Sequence, residues 1–335
     1  MRLAGPVVLA TTAAMGGARE VSPAITHAEQ APAQTATAVS SSSLSNMSPY
    51  PPIRIMRPNE NLEIAFDVRT RNPVYVLERL VVVDGGASRL NRPNFFEDSK
   101  NGLPVVYRSQ LQHYHKSGYD RGHMAPAADF AYDKSAYNDT FTLCNVVPQD
   151  AVMNKGIWAS LEEWTRNVAK QAHKQQQGAT TYVVTGPLWL PKRQIGDRVF
   201  QYAYPAIGKP PSLVAVPTHL FKVVVVVNKN EQIINFACFV MANTEPEANY
   251  NLQDCLVRWT DLEAVTGLQF FPHLADDNFK QQADRLTGAL LKKNLASSSQ
   301  PLLLTDGKSS SSSSWQRGGA SPTQHLCDRH ACQRS

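Results

Sequence analysis

The stretch Asp120-Arg121-Gly122-His123-Met124-Ala125-Pro126 places three polar side chains where the chain is about to turn, with Gly122 and Pro126 as the turning residues. After it comes an apolar run that predicts a strand over Thr140–Val147, bounded by Pro148 within Asn145-Val146-Val147-Pro148-Gln149. From about Met153 to Gln175 the pattern becomes helical. Ile157, Leu161, Trp164 and Val168 fall on one face at spacings of four, three and four. That helix opens with Asn154-Lys155-Gly156-Ile157-Trp158-Ala159-Ser160-Leu161-Glu162. A turn, a strand and a long helix in close succession form the centre of the reading.

Upstream, Leu62 to Val83 reads as two strands around the turn Thr70-Arg71-Asn72-Pro73. Downstream, strands are predicted at Thr181–Thr185, Leu213–Val216, Leu220–Val227 and Ile233–Met241. Val223–Val227 is apolar without alternation, as in a strand covered on both faces. Thr260-Asp261-Leu262-Glu263 has the form of a capping box opening a short helix that Gly267 closes, and a final helix spans about 276–293. The expected class is α+β, a central and mostly antiparallel sheet flanked by helices.

Composition sets the limits of the folded part. Residues 1–58 are poor in acids, rich in Ala, Thr and Ser, and end in a Pro-rich spacer (Pro49, Pro51, Pro52, Pro58). An Arg-containing, acid-poor leader fits a mitochondrial transit peptide, with a secretory signal as the competing interpretation. Residues 296–335 include Ser309–Ser314 and cannot build a packed core. The expected domain is 59–295. The chain carries +5 overall, of which the leader holds +2 and the tail +2, so global charge is no argument for a polyanion partner. Five cysteines make a poor disulfide framework and favour a reducing compartment. No stretch reaches the roughly 20 apolar residues of a membrane-spanning helix. In the tail, His325, Cys327, His330 and Cys332 follow none of the usual zinc spacings.

The polar residues suit phosphodiester hydrolysis. That reaction needs a base to deprotonate water, and charge to stabilise the crowded phosphorus and the leaving oxygen. His123 titrates near neutrality in its unperturbed state and can be the base. Trp158 and Glu162 follow Asn154 at four and eight residues, drifting about 40° per step of an α-helix, so all three share one broad side. A neutral amide oxygen with a carboxylate acting through water suits Mg²⁺, which keeps most of its waters. Each residue alone has a plainer reading: a surface histidine, a helix N-cap, a solvated acid.

Together the segments resemble the DNA/RNA non-specific endonucleases of the ββα-metal type, the family that includes mitochondrial endonuclease G. The resemblance runs through Val76-Leu77-Glu78, the Asp120–Pro126 stretch, Asn145 to Gln149 and Asn154 to Glu162. It continues in Thr185-Gly186-Pro187, Val216-Pro217-Thr218-His219-Leu220-Phe221-Lys222 and Thr266-Gly267-Leu268. It implies a ββα-metal fold and a sequence-tolerant endonuclease of DNA and RNA leaving 5′-phosphates. Mg²⁺ (or Mn²⁺) is the implied cofactor and a homodimer the implied assembly. By the same resemblance His123 is the general base and Asn154 the direct metal ligand. Glu162 holds metal-bound water, and Asn145 supports the site. Arg92 stabilises the transition state, with Arg89 as its alternative; Asp120 and Arg121 brace the site or meet phosphate. Lys155, Arg166, Lys170, Lys192 and Arg193 are further candidate phosphate contacts. Cys144 stands where the family often has Ser, and is read as a buried thiol.

Overall fold

The computed structural model describes residues 52–83, 90–98, 102–248 and 250–297. Arg89, the leader before residue 52 and the Ser-rich tail with its His and Cys residues lie outside them. Six strands form the central sheet: β1 (Ile53–Asn59), β2 (Leu62–Asp67), β3 (Asn72–Leu80), β6 (Thr180–Leu188), β11 (His219–Val227) and β12 (Ile233–Ala242). They lie in the order β1-β2-β3-β6-β11-β12, and every pairing is antiparallel. Two-stranded ribbons β4 (Asp120–His123) with β5 (Val146–Gln149), β7 (Arg193–Gly196) with β8 (Val199–Gln201), and β9 (Ala206–Lys209) with β10 (Ser212–Ala215) sit outside it.

The helices are α1 (Leu111–Tyr114), α2 (Lys134–Asp139), α3, α4 (Trp259–Thr266) and α5 (Asp277–Ser297). Helix α3 starts as Ala151–Met153, passes through a π turn at Asn154–Trp158 and continues as Ala159–Gln175. It packs on one face of the sheet, where Trp158 and Leu161 join Ile64, Val76, Leu220 and Phe239. Trp259 and Leu262 of α4 close the other face over Val184, Phe221, Val223 and Val225. Every residue of β11 is buried, which is why its apolar run does not alternate.

The α+β expectation holds, and four local expectations change. Ile53–Asn59 is a sheet strand, so the fold starts inside the stretch assigned to the leader; the prolines beside it masked its short alternation. The strand predicted from Thr140 begins only at Val146. Before it, Thr142 accepts a hydrogen bond from the Cys144 amide at 3.3 Å, and local side-chain bonding of this kind favours the 3-10 turn Leu143–Asn145 over extension. The capping box does not form. Thr260 instead donates its hydroxyl to Asp284 of α5, and Glu263 accepts from the Phe270 amide at 2.9 Å. Finally, the π turn replaces α geometry between Asn154 and Trp158, so the 40° drift assumed there does not apply to that step.

Candidate active site

Strand β4 pairs with β5 so that His123 lies opposite Val146 and Asp120 opposite Gln149. Alternation sends Asp120 and Gly122 to one side of the ribbon, Arg121 and His123 to the other. The close approach at Gly122 is enforced. A Cβ there would lie 1.9 Å from Gln149 Cδ, and Gln149 is fully buried with neither side-chain amide atom hydrogen-bonded among the described residues.

His123 is packed between aromatic rings. Its centroid is 5.0 Å from Phe95 and 5.0 Å from Phe141, edge-on to the second. The residue as a whole is half-buried, while Nε2 is sealed off without a hydrogen-bond partner among the described residues. Burial, and after it the positive charge of Arg92, lower its pKa to about 3. The imidazole is therefore neutral across the physiological range, with one ring nitrogen unprotonated, and the same burial weakens it as a base. Arg92 is exposed and stacks over the same two rings, 5.7 Å from Phe95 and 5.5 Å from Phe141. Arg121 reaches Phe95 as well, at 4.8 Å.

Asn154 enters from the other strand end. Asp150 caps α3 by accepting the Val152 and Met153 amides, both at 2.9 Å, and the chain turns directly into the π segment. Asn154 Nδ2 donates to Asp120 Oδ2 at 3.1 Å, and Lys155 Nζ pairs with the same oxygen at 3.0 Å. With the nitrogen engaged, Oδ1 is the end of the amide left to meet a cation. Hard oxygen donors of this kind, few in number, fit a small divalent ion that retains its waters.

Glu162 lies further along α3, half-buried. Burial raises its pKa to about 7. Lys222 opposes this most, Asp129 adds to it, and Arg166 and the Trp158 indole pull it down more weakly; that indole N–H itself completes no hydrogen bond of normal geometry. The acid is thus poised to exchange protons near neutrality, and a cation nearby would fix it as a carboxylate.

Of the residues predicted from sequence, Arg92, Arg121 and His123 share one aromatic cluster, and Asp120 and Asn154 share a hydrogen bond. Glu162 meets a different set of partners. Asn145 is fully buried and acts as a staple: Oδ1 accepts the Ala125 amide at 3.0 Å, and Nδ2 donates to the Ala125 and Thr140 carbonyls at 2.8 and 2.9 Å. Arg166, a candidate phosphate contact by sequence, is paired instead with the buried Asp129 at 2.9 Å. Arg193 donates to Gln201 across β7–β8, while Lys170 and Lys192 are exposed. Cys144 is buried, its thiol pushed up by burial, consistent with an inert packing role. Sequence reasoning missed Phe95, Phe141, Gln149 and Lys222. Lys222 carried a signal, as the one polar residue in the run Leu220–Val227.

A cavity of about 590 Å³ adjoins Asp120 and Arg121 and is lined also by Tyr114, His115, Lys116 and Tyr119. Its basic and aromatic lining is of the kind that accepts phosphates and bases. Among the described residues, no helix is long and apolar enough to cross a membrane.

A sequence model of the DNA/RNA non-specific endonuclease family matches residues 40–277. The chain is 37% identical over 223 residues to the mitochondrial nuclease of Saccharomyces cerevisiae, covering 65% of this chain and 66% of that protein. It is 33% identical over 262 residues to the mitochondrial nuclease 1 of Schizosaccharomyces pombe, covering 77% and 78%. Human mitochondrial endonuclease G is 32% identical, with 67% and 72% covered. A chain in the crystal structure of the EndoG/EndoGI complex superposes with a TM-score of 0.57 at 29% identity, over 66% of this chain and 86% of the other.

Proposed function

The chain belongs to the DNA/RNA non-specific endonuclease family, and from that we propose that this ββα-metal nuclease cuts both DNA and RNA with magnesium, in mitochondria. The observation that carries the reading is the pairing of a neutral, buried-edge imidazole with an amide whose nitrogen is already engaged. One group is unprotonated at neutral pH and the other has an oxygen left to present to a cation.

In this scheme His123 accepts the proton of the attacking water. Arg92, held above the Phe95 and Phe141 rings, faces the charge that develops on the phosphoryl oxygens. Asn154 Oδ1 and Glu162 are the groups that would hold the ion, Glu162 through water. Bound magnesium would supply the electrostatic stabilisation of the leaving 3′ oxygen. Arg121 meets backbone phosphate, and Asn145 keeps the segment after His123 in place. Contacts made to phosphate carry no base information, which accounts for tolerance of sequence and sugar.

Purified protein should digest plasmid DNA and RNA to 5′-phosphate ends with Mg²⁺ and stop on chelation. His123→Ala should lose about 10²–10⁴-fold in rate; a variant as fast as the wild type would overturn the assignment. The acid-poor leader supports mitochondrial import, as do relatives named as mitochondrial proteins. Imaging residues 1–51 fused to a fluorescent protein tests it, and secretion of the fusion would refute it. The working assembly is a homodimer, which sedimentation of the full chain checks. The nuclease domain runs to about residue 295, with a tail beyond it.

A further inference from the structure

Lys222 is 1% exposed, in the middle of the sheet, on a strand whose other residues after His219 are Leu, Phe and Val. Its Nζ donates to Thr185 Oγ1 at 2.7 Å, directly across the β11–β6 register, and to the Met124 carbonyl at 3.5 Å. Met124 follows His123 in the chain. The same ammonium lies 5.2 Å from the centre of the Trp158 ring, which closes the π turn that Asn154 opens. Glu162, Asp129 and Glu78 all feel its charge; Arg166 acts on all three as well, and Lys170 on Asp129. Glu78 is buried and its carboxylate finds no hydrogen-bond partner among the described residues.

Burying an ammonium is costly, and an apolar side chain of similar length would fill the space between sheet and helix more cheaply. Packing alone does not account for a lysine here. Its three N–H directions do. One anchors to the sheet, one reaches the carbonyl behind the base, and the charge rests on the aromatic face of the turn that presents the amide.

We infer that Lys222 is a positioning residue for the reaction: it locks the strand end carrying His123 against the π turn carrying Asn154 and balances the carboxylates around Glu162. The inference rests on the nuclease reading above. It assigns no contact between Lys222 and substrate. Supporting groups of this type change metal affinity or turnover on the order of 10–100-fold when removed.

The test compares Lys222→Met, Lys222→Arg and wild type at matched folded fraction. Lys222→Met should lower kcat by about 10–100-fold and weaken Mn²⁺ binding, followed by electron paramagnetic resonance, with KM for nucleic acid unchanged. Lys222→Arg, which keeps the charge, should recover part of both. Should Lys222→Met fail to fold, Lys222→Met combined with Glu78→Met removes one opposing buried acid along with the amine and is read the same way. A folded variant lacking the amine, with wild-type kcat and Mn²⁺ affinity, overturns the inference. So does a fall in stability with turnover per folded molecule intact. Wild-type protein that cleaves nothing with Mg²⁺ would instead overturn the nuclease reading, so the two failures are distinct.

Discussion

Asp120 Oδ2 accepts from Asn154 Nδ2 at 3.1 Å, so an acid on the base-bearing strand decides which end of the helix amide faces outward. Lys155 completes the arrangement by pairing with the same oxygen at 3.0 Å. The acid is polarised between an amide and an ammonium, and the amide oxygen is oriented without touching it.

Asp120→Ala should therefore release the amide and lower affinity for Mg²⁺ or Mn²⁺ by about 10–100-fold. Lys155→Met, which leaves the Asp120–Asn154 bond in place, should change it far less. Metal titration of the two proteins separates these outcomes; equal losses in both would show that the ion pair, not the amide bond, matters.

The pH profile should follow Glu162 rather than His123. The histidine, lowered to about 3, is already deprotonated in the neutral range, whereas Glu162 is raised to about 7. At low metal the acid limb of kcat/KM should lie near 7. Saturating magnesium should move it downward, since a nearby cation favours the carboxylate. Profiles at two magnesium concentrations decide the matter, and a limb that stays in place refutes it.

His123 also links stability to pH. Its folded value of about 3 lies below the ordinary 6.5, so its contribution is present above pH 6.5 and is lost as pH falls from there toward 3. Urea midpoints at pH 7 and pH 5 should drop more in the wild type than in His123→Ala. A variant with the same drop would place the acid sensitivity elsewhere.

Gly122→Ala should disturb the β4–β5 ribbon, because the new methyl would meet Gln149 Cδ at 1.9 Å in a fully buried setting. Overpacking of this kind costs about 1–3 kcal/mol. Adding Gln149→Ala should return part of it, since the three nearest atoms belong to that side chain. A double-mutant cycle by urea unfolding with no coupling would contradict the contact.

Asn145→Ala should act on stability more than on chemistry. It orphans the Ala125 amide and carbonyl and the Thr140 carbonyl, all in buried surroundings, at about 1–3 kcal/mol for each unsatisfied group. The expected result is a large fall in unfolding free energy with kcat per folded molecule reduced less than in His123→Ala. The reverse order would give Asn145 a chemical role.

How much of this was legible beforehand depended on range. β11 and β12 were visible because an apolar run of that length has few other homes, and Gly267 was visible because it ends α4 with φ of 69°. The site residues His123, Asn154 and Glu162 stood in ordered segments close in sequence. What stayed hidden depends on contacts distant along the chain. Phe95 and Phe141, 28 and 18 residues away along the chain, meet His123 only in the folded structure, and Thr260 abandons its local cap for Asp284 on another helix. The strand at Ile53–Asn59 was lost because its alternation is short and prolines adjoin it. Gln149 and Lys222 are buried polar groups, and burial is a property of the folded neighbourhood rather than of the letters.

The π turn at Asn154–Trp158 gives α3 two angular frames instead of one. Residues before it keep the phase set by the Asp150 cap, and residues after it, Glu162 among them, keep the phase set by packing on the sheet. The bearing of the amide relative to the acid is thus governed by residue count in the turn as much as by side-chain identity. Removing one residue, such as Gly156, would restore an ordinary ladder and swing one functional group around the axis relative to the other. Loss of a residue without a side chain can in this way do more harm to the site than most substitutions within it.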